Sequence, residues 1–124
     1  MMEPFDMTCE IVRALDGKRG KNIKVLKTRD LTVLADYFVI CTAGSTTQIK
    51  TLSDEVQRVL DQHGEAPHHT EGYRSGGWVL LDYSCVVVHL FLDETREFYS
   101  LERLWSDAED IDISDMLVEE IGNN

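Results

Sequence analysis

A chain of 124 residues, 43% of them hydrophobic, is long enough to bury one core and too short to hold a second domain of ordinary size. Its net charge of -11, from 23 acidic against 12 basic residues, argues against a protein that grips nucleic acid mainly by neutralising phosphates and favours a basic protein partner. No apolar run reaches the ~18 residues that cross a bilayer, Met1-Met2-Glu3-Pro4 lacks the basic start of a signal peptide, and Cys9, Cys41 and Cys85 are odd in number and scattered, so the expectation is a cytoplasmic chain without disulfides or membrane contact.

Met7, Ile11, Ala14 and Leu15 recur at helical spacing, with Asp6 or Thr8 as the cap and Gly17 as the stop. Lys18, Arg19, Lys21, Lys24, Lys27 and Arg29 then crowd together, overlapping a short predicted strand from Asn22 to Leu26. A longer strand, rich in β-branched and aromatic residues, is predicted from Leu34 to Thr42. Gly44-Ser45 breaks it, and Ser45 is a good N-cap for a helix bearing Ile49, Leu52, Val56, Val59 and Leu60 that Gly64 ends.

Pro67 to Tyr73 reads as a further strand, followed by a turn at Gly76-Gly77. The segments Gly77 to Tyr83 and Cys85 to Phe91 are apolar on both faces, which places them inside a covered sheet, with Asp82 and His89 as polar exceptions on a rigid support. A charged helix is predicted from Glu94 to Trp105, with Phe98, Leu101, Leu104 and Trp105 facing the core. This alternation of helix and strand predicts an α/β fold, a mixed β-sheet with helices packed against it. The domain is expected to span 1–105. Residues 106–124 read as an acidic, loosely docked C-terminal tail in which Ile113, Met116, Leu117 and Ile121 could share one helical face.

The chain is poor in catalytic constellations. Gly44-Ser45-Thr46-Thr47 stands where a strand hands over to a helix, a place that can receive a phosphate, but no Lys adjoins the Ser or Thr as in a P-loop, and plain capping is the simpler account. Nucleotidyltransferases have Gly-Ser in a similar place, followed by strand-borne carboxylates that hold Mg²⁺. Here Asp54-Glu55 falls within a helix and Asp82 stands alone on its strand, so no catalysis and no metal are predicted. His63, His68, His69 and His89 with Cys85 form neither an H-x-x-x-H nor a C-x-x-C pair, which argues against zinc. Cys41 and Cys85 lie in apolar strands where a thiolate is disfavoured.

The run W-V-L-L-D-Y from Trp78, V-V-V-H-L-F from Val86 and R-E-F-Y-S-L-E-R-L-W from Arg96 resembles the signature of the ribosomal silencing factors, the Iojap-like family. Asp36-Tyr37-Phe38-Val39-Ile40-Cys41-Thr42, Gly44-Ser45, Gln48 and Glu71-Gly72 match its pattern in order and spacing. One departure is Ser84-Cys85, where the family usually has Gly-Asp. The resemblance implies a nucleotidyltransferase-like topology without catalysis or cofactor. It also implies a factor that binds the large ribosomal subunit through the ribosomal protein numbered fourteen, blocks joining of the small subunit and lowers translation when nutrients are scarce.

Motif position and side-chain chemistry assign the contact surface to Glu71, Gly72, Trp78, Asp82, Tyr83, Arg96 and Tyr99. The basic stretch Lys18 to Arg29 is the candidate for an rRNA contact. The alternatives are a nucleotidyltransferase-like phosphotransfer enzyme and a homodimeric adaptor that pairs through a sheet edge.

Overall fold

A computed structural model describes residues 2–72 and 77–117, with the backbone alone at 98, 99, 102 and 104. Helix α1 spans Pro4–Gly17, strand β1 Lys21–Lys27, β2 Tyr37–Ala43 and helix α2 Thr46–Asp61. Strands β3 (His69–Glu71), β4 (Trp78–Asp82) and β5 (Val86–Leu92) follow, then α3 (Asp93–Tyr99), α4 (Leu101–Leu104) and β6 (Glu109–Ile111). The six strands form one sheet in the order β3-β4-β5-β2-β1-β6. Among the described residues only β2 and β5 pair in parallel; the other pairings are antiparallel. The expected mixed α/β architecture is therefore the observed one.

The period-two alternation of side chains sorts the central strands into two cores. Val39 and Cys41 of β2, Val79 and Leu81 of β4, and Val86, Val88 and Leu90 of β5 meet Ile11 and Leu15 of α1 and Leu52, Val56 and Leu60 of α2. On the reverse face a smaller cluster of Leu26, Phe38, Ile40 and Phe91 is lined by Trp78, Val87, Leu101 and Trp105. Two helices thus cover one side of the sheet, and among the described residues the α3–α4 region reaches the other through Arg96, Leu101 and Trp105. Truncating a fully buried leucine such as Leu52 or Leu81 would cost about 2–5 kcal/mol.

Several boundaries differ from the sequence expectation. Helix α1 begins at Pro4, because proline suits the first turn, and Glu3 rather than Asp6 or Thr8 occupies the cap position. Thr8 is buried and donates its hydroxyl to the Pro4 carbonyl at 2.9 Å. Strand β2 starts at Tyr37: the preceding residues form a loop pinned by Thr28, whose hydroxyl donates to the Ala35 carbonyl, and Val33 and Leu34 project into solvent. The helix predicted from Glu94 to Trp105 breaks at Ser100, which adopts a left-handed φ of 48°.

The acidic segment is the largest difference. Instead of hanging loose, Glu109–Ile111 add an edge strand beside β1, and Met116, 2% exposed, is buried in the helix-side core. The Arg13 Nε–H donates to the Met116 carbonyl at 2.8 Å. The expected boundary at 106 falls inside this packed structure. Tyr73 and Gly76, predicted at a strand end and a turn, and Ile121 of the predicted last helix lie outside the described residues.

Candidate functional site

The reverse face of β4 and β5 carries the features expected of a docking surface. Alternation turns Trp78, Leu80 and Asp82 away from α1 and α2, and register sets them opposite Phe91, His89 and Val87. Trp78, Leu80 and Val87 are half-buried. Together they form an apolar strip along this face.

Trp78 is held firmly. Its indole N–H donates to His89 Nδ1 at 3.2 Å, and its ring lies 5.0 Å from that of Phe91 at 31°. His89 in turn lies 5.0 Å from Phe38, and Phe38 meets Trp105 edge-on at 5.3 Å, so an aromatic row crosses the face. His89 is 4% exposed, and burial pushes its pKa down to about 4 against a weaker upward pull from Asp82. The imidazole is neutral at pH 7. Because Nδ1 accepts from Trp78, the proton sits on Nε2, which has no hydrogen-bond partner among the described residues.

The rim is built from β3 and the β4–β5 turn. Gly72 adopts a φ of +94°, and a Cβ there would meet the Trp78 carbonyl oxygen at 1.8 Å, so only glycine lets the chain pass this close. Glu71 and His69 pair in register with Leu80 and Asp82, and His69 Nε2 lies 3.3 Å from Glu71 Oε2. Asp82 Oδ1 accepts from the Ser84 N–H at 2.8 Å, bracing a turn in which Ser84 has a φ of 71°. Where the resemblance leads one to expect a turn glycine, Ser84 thus stands in a left-handed conformation steadied by Asp82.

The seven predicted contact residues do not all converge. Glu71, Gly72, Trp78 and Asp82 cluster at the β3–β4 edge. Tyr83, 3% exposed, turns to the opposite, helix-side core, so its side chain is not presented with Asp82; the strand alternation separates these neighbours. Arg96 lies two strands from Trp78, where its Nη1 donates to the Asn22 carbonyl at 2.6 Å and Thr42 Oγ1 at 2.7 Å, bracing the irregular start of β1. The side chain of Tyr99 lies outside the described set. Leu80, Val87 and His89 belong to the face but were not assigned to it. Their period-two spacing with Trp78 and Asp82 was the available signal.

The other sequence candidates have structural roles. Ser45 Oγ accepts from the Gln48 N–H at 3.1 Å, and the Gln48 side chain accepts from the Gly44 N–H at 2.6 Å and donates to the Arg19 carbonyl at 3.1 Å. The strand-to-helix turn is thus closed by its own chain. Asp54 pairs with Lys50 and Glu55 with Arg58 on the surface of α2. Among the described residues no cluster of His, Cys, Asp and Glu could hold a metal ion. Burial pushes the Cys41 thiol up to about 12 and raises that of Cys85.

The basic stretch is divided and partly matched by acids. Register turns Lys24 to the face of Ile40 and Lys27 to the face of Tyr37. Lys24 lies 3.4 Å from Asp110, and Lys27 lies 4.0 Å from Glu109 and 3.7 Å from Asp30. Arg29 pairs with Asp36 and sits 5.2 Å above the Tyr37 ring. Among the described residues no helix is long and apolar enough to cross a membrane.

Fold and site together define an α/β protein with an aromatic, half-buried strip on one face of its mixed sheet. Comparison with known sequences and structures sharpens that class. A family model described as "Ribosomal silencing factor during starvation" matches residues 3–123. A ribosomal silencing factor of Bacillus subtilis is 38% identical over 95 residues, covering 77% of this chain and 80% of that one. Another, from Halalkalibacterium halodurans, is 33% identical over 106 residues, covering 86% and 91%. A crystal structure of a Chromobacterium violaceum protein superposes with a TM-score of 0.82 at 37% identity, covering 85% of this chain and 88% of that one. This chain belongs to the ribosomal silencing factor family.

Proposed function

We propose that the protein binds the large ribosomal subunit through the ribosomal protein numbered fourteen, prevents the small subunit from joining and so lowers translation when nutrients are scarce. Family membership supports the ribosomal setting. The observation that carries the docking assignment is the half-buried strip of Trp78, Leu80 and Val87, with Trp78 locked by His89 and Glu71 opposite Leu80 on the neighbouring strand. A large aromatic that enters the complex already ordered loses little conformational freedom on binding. The net charge of -11 steers the chain towards basic surfaces, and ribosomal proteins are commonly basic.

Steric blocking needs affinity and bulk rather than chemistry, and we infer a non-catalytic factor acting in the cytoplasm. The Lys18 to Arg29 stretch is the proposed rRNA contact. Lys24 and Lys27 already face acids, so that contact rests mainly on Lys18, Arg19 and Lys21. A homodimer through the β3 edge is the remaining structural option.

Gradient sedimentation tests the reading. The protein should co-sediment with isolated large subunits, not with small ones, and at stoichiometric amounts should reduce subunit association. Unchanged association at saturation would remove the silencing assignment.

A further inference from the structure

The docking face contains one polar group that the fold leaves unmatched. His89 is 4% exposed, sits between Phe38, Phe91 and Trp78, and has no acceptor for Nε2–H among the described residues. Buried donors are almost always paired, because an unpaired one forfeits its bond to water and gains nothing in return. An apolar ring of similar shape would fill the same space without that penalty.

The ring's orientation is also controlled. Trp78 donates to Nδ1, which forces the proton onto Nε2 and opposes a ring flip. Nε2 is not bonded to Cγ and lies farther from the backbone than Nδ1. On a strand residue turned away from α1 and α2, the donor therefore projects outward from the sheet. The residue facing His89 across the strands is Leu80, half-buried and part of the apolar strip.

We propose that His89 Nε2–H is a reserved hydrogen-bond donor of the docking face, satisfied by a main-chain carbonyl of the protein that seats on Trp78, Leu80 and Val87. A neutral donor inside an aromatic surround matches a neutral oxygen better than a carboxylate, whose charge would be costly to desolvate there. The fold thus keeps a neutral imidazole in one tautomer, where a core position needs none. This inference rests on the docking reading above.

The two amide side chains separate its parts. Glutamine can place an N–H near the Nε2 position, whereas asparagine can place an oxygen near Nδ1 and offers nothing at Nε2. Affinity for isolated large ribosomal subunits is measured for the wild type, His89→Asn, His89→Gln, His89→Phe and Trp78→Ala, each with a melting curve. His89→Asn and His89→Phe should bind about five- to ten-fold more weakly, and His89→Gln should remain within about two-fold of wild type, since it keeps the donor.

A nitrogen spectrum of the imidazole in the free protein at pH 7 should show Nε2 protonated and Nδ1 bare. If Trp78→Ala weakens binding while folded His89→Asn or His89→Phe binds like wild type, the reserved-donor inference falls and the docking face stands. If Trp78→Ala binds like wild type, the docking face itself falls and the inference with it. The opposite tautomer in the free protein overturns the inference without reference to any partner, including the case in which a variant fails to fold.

Discussion

Gly72 and Trp78 are locked by a backbone contact: a Cβ on residue 72 would stand 1.8 Å from the Trp78 carbonyl oxygen. The close passage of β3 past the start of β4 goes with a register that sets Glu71 opposite Leu80. Gly72→Ala therefore combines a left-handed φ with a clash against rigid backbone. It should destabilise the protein by about 1–3 kcal/mol in urea titration and weaken large-subunit binding more than that loss alone accounts for. Binding that tracks only the folded fraction would show that the β3 edge plays no part in docking.

The β4–β5 turn carries strain that can be relieved. Ser84 holds a φ of 71° where a glycine would sit without penalty. Ser84→Gly should raise stability by about 1 kcal/mol. Asp82→Ala, which strips the acceptor from the Ser84 N–H, should lower it by about 1 kcal/mol. Chemical denaturation midpoints measure both. A neutral or destabilising Ser84→Gly would mean that the serine is comfortable in this turn.

The two tryptophans form a paired test. Trp78 lies on the open strip, and Trp105 packs edge-on against Phe38 beneath the α4 region. Trp78→Ala should fold and lose about 2 kcal/mol or more of binding free energy. Trp105→Ala should lose about 3 kcal/mol of folding free energy, the lower end for a large aromatic because it is only half-buried. The reverse pattern would move the interface to the other end of this face.

Acid should weaken the fold through His89. Its pKa lies at about 4 in the folded protein against 6.5 as the ordinary value, so between these limits the unfolded chain binds the extra proton. The stability contributed by the neutral ring is complete above pH 6.5, falls as pH drops, and is lost at about pH 4. The limit of this effect is about 3 kcal/mol. Subtracting the pH profile of His89→Gln from that of the wild type isolates the term from the carboxylates. A flat difference between pH 6.5 and 4 would show that the ring is not buried in its neutral form.

Much was legible in the sequence because local rules carry it. Doubly apolar runs around Val79 and Val88 had to be covered strands, Ser45 had to cap a helix, and the ordered motifs from Asp36 to Trp105 specified a family. These signals depend on the period of side chains along a chain, which needs no knowledge of distant partners. Tertiary structure decided the rest. Tyr83 went to the helix-side core although its neighbour Asp82 faces outward, Arg96 was drawn to the Asn22 carbonyl and Thr42, and the acidic segment became an edge strand against Lys24 and Lys27. His89 shows the difference most clearly: its letter marks a polar residue in an apolar strand, but only the pairing of β4 with β5 hands Nδ1 to Trp78 and leaves the buried Nε2 without a partner among the described residues. A hydrogen bond between residues eleven positions apart depends on strand register, and register is set by the packing of the whole sheet.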